Sequence, residues 1–164
     1  MDIEGVNFYF LHVESKSDKY KLKTLSNKTV SFCEDKWHKK HQVFYSWHSR
    51  GGQYVVSDFE YLNRLQQEFE KEIDFWFVNL TSVGWFERIK AKKIAIQYNI
   101  NFDSIILDKI GIVGATLRLE KMSTIVFVSR DNFVYKKLEG NFDESKVRQT
   151  ISSLLKKRLH YDNY

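Results

Sequence analysis

The sequence predicts an α+β fold: largely antiparallel sheet(s) with one long amphipathic central helix and a C-terminal helix. Three observations carry this. Short apolar runs come in groups rather than alternating one for one with helical patterns, and strands in runs pair antiparallel. Between the groups, Ser57-x-x-Glu60 matches a capping box, and Leu62, Leu65, Phe69, Ile73, Trp76, Phe77 and Leu80 follow at helical spacing. Near the end, Asp143 stands where a helix N-cap belongs, ahead of an inward stripe of Val147, Ile151, Leu154, Leu155 and Leu159. No linker of Pro, Ser or Gly divides the chain. Residues 1–164 therefore read as a single α+β domain, with 1–80 and 81–164 as possible halves.

The elements follow in order. Val6, Phe8, Phe10 and Leu11 read as a strand, and Ser15-Lys16-Ser17-Asp18 as a turn. Tyr20, Leu22 and Thr24 alternate with Lys21 and Lys23, a half-buried strand. Ser26-Asn27 turns the chain into a strand through Thr29 to Cys33. Glu34 to Gln42 is a charged connection with room for a short helix. Val43 to Trp47 is a strand, Ser49-Arg50-Gly51-Gly52 a loop, and Gln53 to Val56 a further strand. The long helix then covers about 22 residues and presents an acidic face from Asp58 to Asp74. Thr81 to Ala91 reads as a second helix. Ile94, Ile96, Tyr98, Ile100 and Phe102 alternate with Ala95, Gln97, Asn99 and Asn101, a period of two that predicts a strand. Ile105 to Val113, Leu117 with Leu119, Thr124 to Ser129 and Phe133 to Leu138 complete the strands, the last two joined by Arg130-Asp131-Asn132.

Composition bounds the class. The chain has 164 residues, 43% hydrophobic and 29% charged. A chain of that length buries about 70% of the surface its unfolded form exposes. Disorder is excluded by the apolar content. No apolar run approaches the ~20 residues of a membrane span. The start, Met1-Asp2-Ile3-Glu4, has no basic segment leading into an apolar one, so no secretory signal is expected. One cysteine, Cys33, cannot close an internal disulfide, which points to a reducing, cytoplasmic setting. Abundant Lys, Ile, Asn, Phe and Tyr beside 0 Pro fits AT-rich codons, as in a low-GC bacterium, phage or plasmid.

Net charge is +5 and aromatic residues make up 16%. The charge is polarised. The acidic stretch opposes Lys36, Lys39, Lys40, His38, His41, His48 and Arg50, interleaved with Trp37, Phe44, Tyr45 and Trp47. Two more clusters are Arg88, Lys90, Lys92 and Lys93, and then Lys156, Lys157 and Arg158. Phosphates want cations and unpaired bases want aromatic faces, so these residues predict a surface for nucleic acid or a nucleoprotein complex. Cys33, His38, His41 and His48 carry metal-ligand chemistry, but their spacing matches no zinc pattern and lysines surround them; neither metal nor cofactor is expected. Gly111-Ile112-Val113-Gly114 lacks the marks of a phosphate loop, and G-x-S-x-G and H-E-x-x-H are absent. The expectation is a binding protein rather than an enzyme. A protein-docking inhibitor, immunity or anti-defence factor of a phage or mobile element is the second expectation. A small metal-independent ribonuclease using His38, His41 or His48 is the third.

Overall fold

A computed structural model describes residues 4–5, 22–30, 39–48, 52–80, 85–108, 111–119 and 123–157. Among them the strands are β1 (Leu22–Lys23), β2 (Thr29–Val30), β3 (His41–Trp47), β4 (Ile73–Asn79), β5 (Ile105–Leu107), β6 (Thr124–Val128) and β7 (Val134–Glu139). The helices are α1 (Gly52–Glu68), α2 (Trp85–Gln97), α3 (Ile112–Thr116) and α4 (Glu144–Lys156). The class is α+β. Strands β3 to β7 form one mixed sheet in the order β5-β4-β3-β6-β7. β3, β4 and β5 run parallel, while β6 pairs antiparallel with β3 and β7 with β6. The hairpin β1–β2 lies along the β5 edge, where the Leu25 N–H donates to the Ile105 carbonyl at 2.9 Å.

β3 is the centre of the molecule, and all seven of its residues are buried. Alternation sends Val43, Tyr45 and Trp47 into one apolar cluster and Phe44 into another. The first cluster gathers Phe59, Leu62 and Leu65 of α1, Ala91 and Ala95 of α2, and Val147, Ile151 and Leu154 of α4. The second gathers Val78, Ile106, Val126 and Val128 with Val113 of α3 and Leu117. The sheet is therefore covered on both faces, which explains the near-continuous apolar run of a parallel centre strand.

Several element expectations are corrected. The strand expected over Ile105 to Val113 ends at Leu107, residues 112 and 113 being helical in α3, and Leu117 with Leu119 follow that helix outside any strand. The central helix starts at Gly52 and ends at Glu68, so Gln53 to Val56 are helical and Ser57 lies inside the helix instead of capping it. Ile73 to Asn79 is strand β4, not more helix. Its aromatic and β-branched residues suit a pleated surface, and Phe75 and Phe77 point to one cluster while Trp76 packs on the other. The alternating run from Ile94 is helical to Gln97, because Ala91 and Ala95, one turn apart, let the helix lie close against its neighbours. Asn99 ends it in the left-handed region at φ 53°, with Asn99 N–H on the Ile96 carbonyl and Ile100 N–H on the Ala95 carbonyl. The Gly111 turn leads into α3, and Asp108 accepts from the N–H groups of Val113 and Gly114. β3, β6, β7 and α4 lie where the sequence places them, with Asp143 capping α4 through Lys146 N–H at 2.9 Å. Of the strand read over Gly5 to Val13, residues 6–13 lie outside the described residues, as do residues 34–38 of the Glu34 to Gln42 connection, whose last two residues open β3.

Candidate functional site at the carboxyl edge of the parallel strands

In sheets with parallel strands, clefts open where strands end and helices begin. Here β3 ends at Trp47 and α1 begins at Gly52, with His48-Ser49-Arg50-Gly51 between. The edge is tied together from below. Leu80 N–H donates to the Trp47 carbonyl at 3.0 Å, and Asp108 N–H to the Asn79 carbonyl at 3.2 Å. Ser46 Oγ donates to the Thr124 carbonyl and accepts from Thr124 N–H, locking β3 to β6.

A polar cluster sits inside this edge. Tyr45 on β3 and Tyr61 on α1 both donate to the Asp58 carboxylate, at 2.8 and 3.1 Å. Ser123, in the left-handed region at φ 56° just before β6, joins the two tyrosines in lowering the carboxyl pKa. Burial raises the Asp58 pKa above the usual carboxylate range, against the lowering effect of those hydrogen bonds. Burial and the neighbouring Asp58 charge push both phenols up as well. The cluster can hold a proton in a dry setting, and it joins β3, α1 and the approach to β6. Trp47, fully buried beside it, has an indole N–H with no acceptor among the described residues. On the surface, Trp85 and Phe86 open α2 with exposures of 71% and 69%, their rings edge to face at 4.8 Å.

Among the described residues, the basic residues expected to share one face are not gathered on one. Arg88 donates to the Leu25 carbonyl and to Asn27 Oδ1, which places it against the hairpin on the β5 edge. Lys157 Nζ lies 5.2 Å from the centre of the Tyr135 ring on β7, the opposite edge. Lys90 pairs with Glu87, and Lys40 with Asp74. Lys92, Lys93 and Lys156 are exposed. His41 and His48 stand at opposite ends of β3, about 20 Å apart at 3.3 Å per residue, and cannot share an ion. Lys36, Trp37, His38, Arg50, Arg158 and Cys33 lie outside the described residues.

Sequence reasoning missed Asp58, Tyr61 and Ser123. Asp58 was grouped with the solvated acidic face, yet it is 8% exposed. Its one sequence signal is the Tyr61 one turn on, which shares its helix face.

No protein-family model matches this sequence, and none of the curated proteins matches it either. Solved structures do. The chain is similar to a thiol-disulfide isomerase from Corynebacterium glutamicum, with a TM-score of 0.70, 13% identity, and coverage of 85% of this chain and 96% of that one. It is also similar to a secreted Mycobacterium tuberculosis disulfide oxidoreductase homologous to Escherichia coli DsbE, at TM-score 0.66, 15% identity and coverage of 81% and 94%. A thioredoxin-like protein from Aeropyrum pernix gives TM-score 0.66, 12% identity and coverage of 87% and 93%. The fold is thus thioredoxin-like.

These likenesses overturn the expected nucleic-acid or nucleoprotein partner. They equally overturn the phage-borne inhibitor and the small ribonuclease. Two of these neighbours are described as thiol–disulfide proteins, and among the described cations Arg88 and Lys157 lie at opposite sheet edges while Lys40 and Lys90 are paired within the chain. Among the described residues no helix is long and apolar enough to cross a membrane.

Proposed function

We propose that this chain is a thioredoxin-fold protein that engages polypeptide partners at the carboxyl edge without turning over a dithiol of its own. One observation carries the proposal: the β3–α1 junction reads Trp47-His48-Ser49-Arg50-Gly51-Gly52 and contains no cysteine. A helix N-terminus lowers a thiol's pKa and makes it a nucleophile, so this junction is where a Cys-x-x-Cys pair would work. A disulfide exchange cycle also needs a second thiol to resolve the mixed disulfide. This chain has one cysteine, Cys33, which precedes β3. Cys33 can attack a partner's disulfide and form one mixed disulfide, releasing the partner's other sulfur as a thiolate; it cannot complete the cycle alone. The exposed Trp85–Phe86 pair at the start of α2, after β4, supplies a sticky apolar patch for an extended polypeptide. The reading treats the chain as one folding unit and keeps it in a reducing, cytoplasmic compartment, which cell fractionation checks.

The test is reduction of insulin disulfides by dithiothreitol. The wild-type chain is expected to leave the rate unchanged. The S49C/G52C double variant, which installs a Cys-x-x-Cys at the helix start, is expected to accelerate it. Acceleration by the wild type overturns the proposal. Binding of a reduced, alkylated polypeptide supplies the second arm: W85S/F86S should weaken it at least tenfold, and an unchanged affinity removes this patch from the site.

A further inference from the structure

The opposite, amino edge of the sheet holds a hollow of about 360 Å³ that nothing above uses. Lys39, His41, Lys71, Glu72, Arg130 and Leu155 line it. They come from four places: the approach to β3, the α1–β4 turn, the β6–β7 turn and the end of α4. The strand register brings them together. His41 N–H donates to the Glu72 carbonyl at 3.0 Å, and Arg130 N–H donates to His41 Nδ1 at 3.2 Å. That second bond makes Nδ1 an acceptor, which leaves the imidazole proton on Nε2 as a donor.

Lys39, Lys71 and Arg130 stand here with Glu72 in the lining and Asp131 close enough to act on His41, and none of the three cations forms an ion pair with another described residue. Several other cations are paired, Arg148 with Glu68 and Glu144, Arg64 with Glu144 and Lys136 with Glu4. Like charges converging in excess of nearby counter-charge repel one another, and a bound anion relieves the repulsion. Arg130 adds a planar fork suited to two oxygens of one phosphate. The cations outnumber the carboxylates Glu72 and Asp131, which favours an anionic ligand such as a phosphate monoester. The volume reaches the lower range of small-molecule sites, well beyond a free phosphate, and the Leu155 side chain offers an apolar wall for the rest of the molecule.

We propose that this hollow binds a small phosphate monoester, its phosphate held by Lys39, Lys71 and Arg130 and its organic part against Leu155. The site is separate from the carboxyl edge, so the proposal stands whatever the polypeptide reading proves to be.

The test is calorimetric titration of the full chain with glycerol 3-phosphate at constant ionic strength set by sodium chloride. Saturable 1:1 binding is expected. R130Q and K71Q should each weaken it tenfold or more while far-ultraviolet circular dichroism stays unchanged. E72Q should tighten it several-fold, a gain that loss of structure could not produce. Succinate, a dianion without phosphate geometry, should bind at least tenfold more weakly than glycerol 3-phosphate. Absence of saturable binding overturns the proposal, as does equal affinity for succinate. Affinity unmoved by R130Q, K71Q and E72Q places any binding elsewhere. Tighter binding of inorganic phosphate than of the ester assigns the hollow to the free ion and removes the ester.

Discussion

The two ends of β3 carry opposite kinds of polar chemistry. At the carboxyl end, the buried carboxylate is satisfied within the chain: Asp58 takes its hydrogen bonds from Tyr45 and Tyr61. At the amino end, Lys39, Lys71 and Arg130 outnumber the nearby carboxylates Glu72 and Asp131 without forming ion pairs to described residues, around a histidine that is only 6% exposed. Burial with pairing produces a rigid, chemically quiet cluster. Convergence without pairing produces a place for a ligand. Charge counted along the sequence cannot separate these cases, because it does not record which charges have partners.

The largest effect is expected where the carboxyl end meets the core. Phe59, next to Asp58, is fully buried among Tyr45, Trp47, Phe77 and Tyr98, with ring centroids 5.1 to 5.9 Å away. F59A should cost about 3–5 kcal/mol by chemical denaturation, since neighbouring rings cannot collapse into the space. A cost below about 1 kcal/mol would mean this end is not the packed one.

The amino end should respond to pH instead. Burial, with the Arg130 charge second and against the opposing pull of Asp131, lowers the His41 pKa from 6.5 to about 4. Above pH 6.5 neither the folded nor the unfolded chain protonates this residue. As pH falls from 6.5 towards 4, the unfolded chain binds a proton that the folded chain refuses, so stability is lost across that window. At 1.36 kcal/mol per unit the loss is about 3 kcal/mol. H41Q, whose side-chain oxygen can still accept from Arg130 N–H, should lose correspondingly less between those pH values. Parallel denaturation curves for wild type and H41Q would remove His41 as the cause.

Much of the fold was legible in the sequence, and the reasons are specific. Val43 to Trp47, Thr124 to Val128 and Val134 to Glu139 are short runs of β-branched and aromatic residues bounded by polar turns. Asp143 and the stripe from Val147 admit only a helix. Ambiguity entered where one pattern satisfies two periods. Ile73, Trp76, Phe77 and Leu80 fit helical spacing, yet Ile73, Phe75 and Phe77 also alternate, and the strand won because it inserts beside β3 in the sheet. At Ile94 the alternation was the decoy and the Ala91–Ala95 spacing the true signal. The sites were less legible. Lys39 and His41 were singled out, but Arg130 joins His41 from 89 positions away and Lys71 sat within a stretch counted as acidic. No sequence periodicity links these positions; the parallel crossover and the β6–β7 turn do.

Within the carboxyl end, D58N isolates the polar cluster from the apolar packing. An amide keeps the shape but replaces one acceptor oxygen with a donor, so one of the two tyrosine hydroxyls loses its acceptor. The cost should be about 1–3 kcal/mol. The sign of the pH dependence is opposite to that of His41. The Asp58 pKa is raised in the folded chain, so its contribution is present below the unfolded carboxylate pKa and is lost as pH rises through the folded value. The stability gap between wild type and D58N should therefore be wider in mild acid than at neutral pH. A gap that widens with rising pH would reverse the assignment of burial as the dominant cause.

The smallest effect sharpens the contrast from outside both ends. Lys92 and Lys93 belong to the basic cluster before residue 94, but on α2 they are exposed and form no ion pair with a described residue. Exposed charges of this kind change stability by less than about 0.5 kcal/mol. K92Q/K93Q should leave the denaturation midpoint and glycerol 3-phosphate affinity unchanged at constant ionic strength. R88Q, four positions earlier on the same helix, removes hydrogen bonds to the Leu25 carbonyl and Asn27 Oδ1 and should cost about 0.5–1.5 kcal/mol. A difference between these variants means that a cation in this cluster matters through its partner. If K92Q/K93Q instead weakened phosphate-ester binding as strongly as R130Q, binding would follow total charge, and the contrast between convergent and scattered cations would fail.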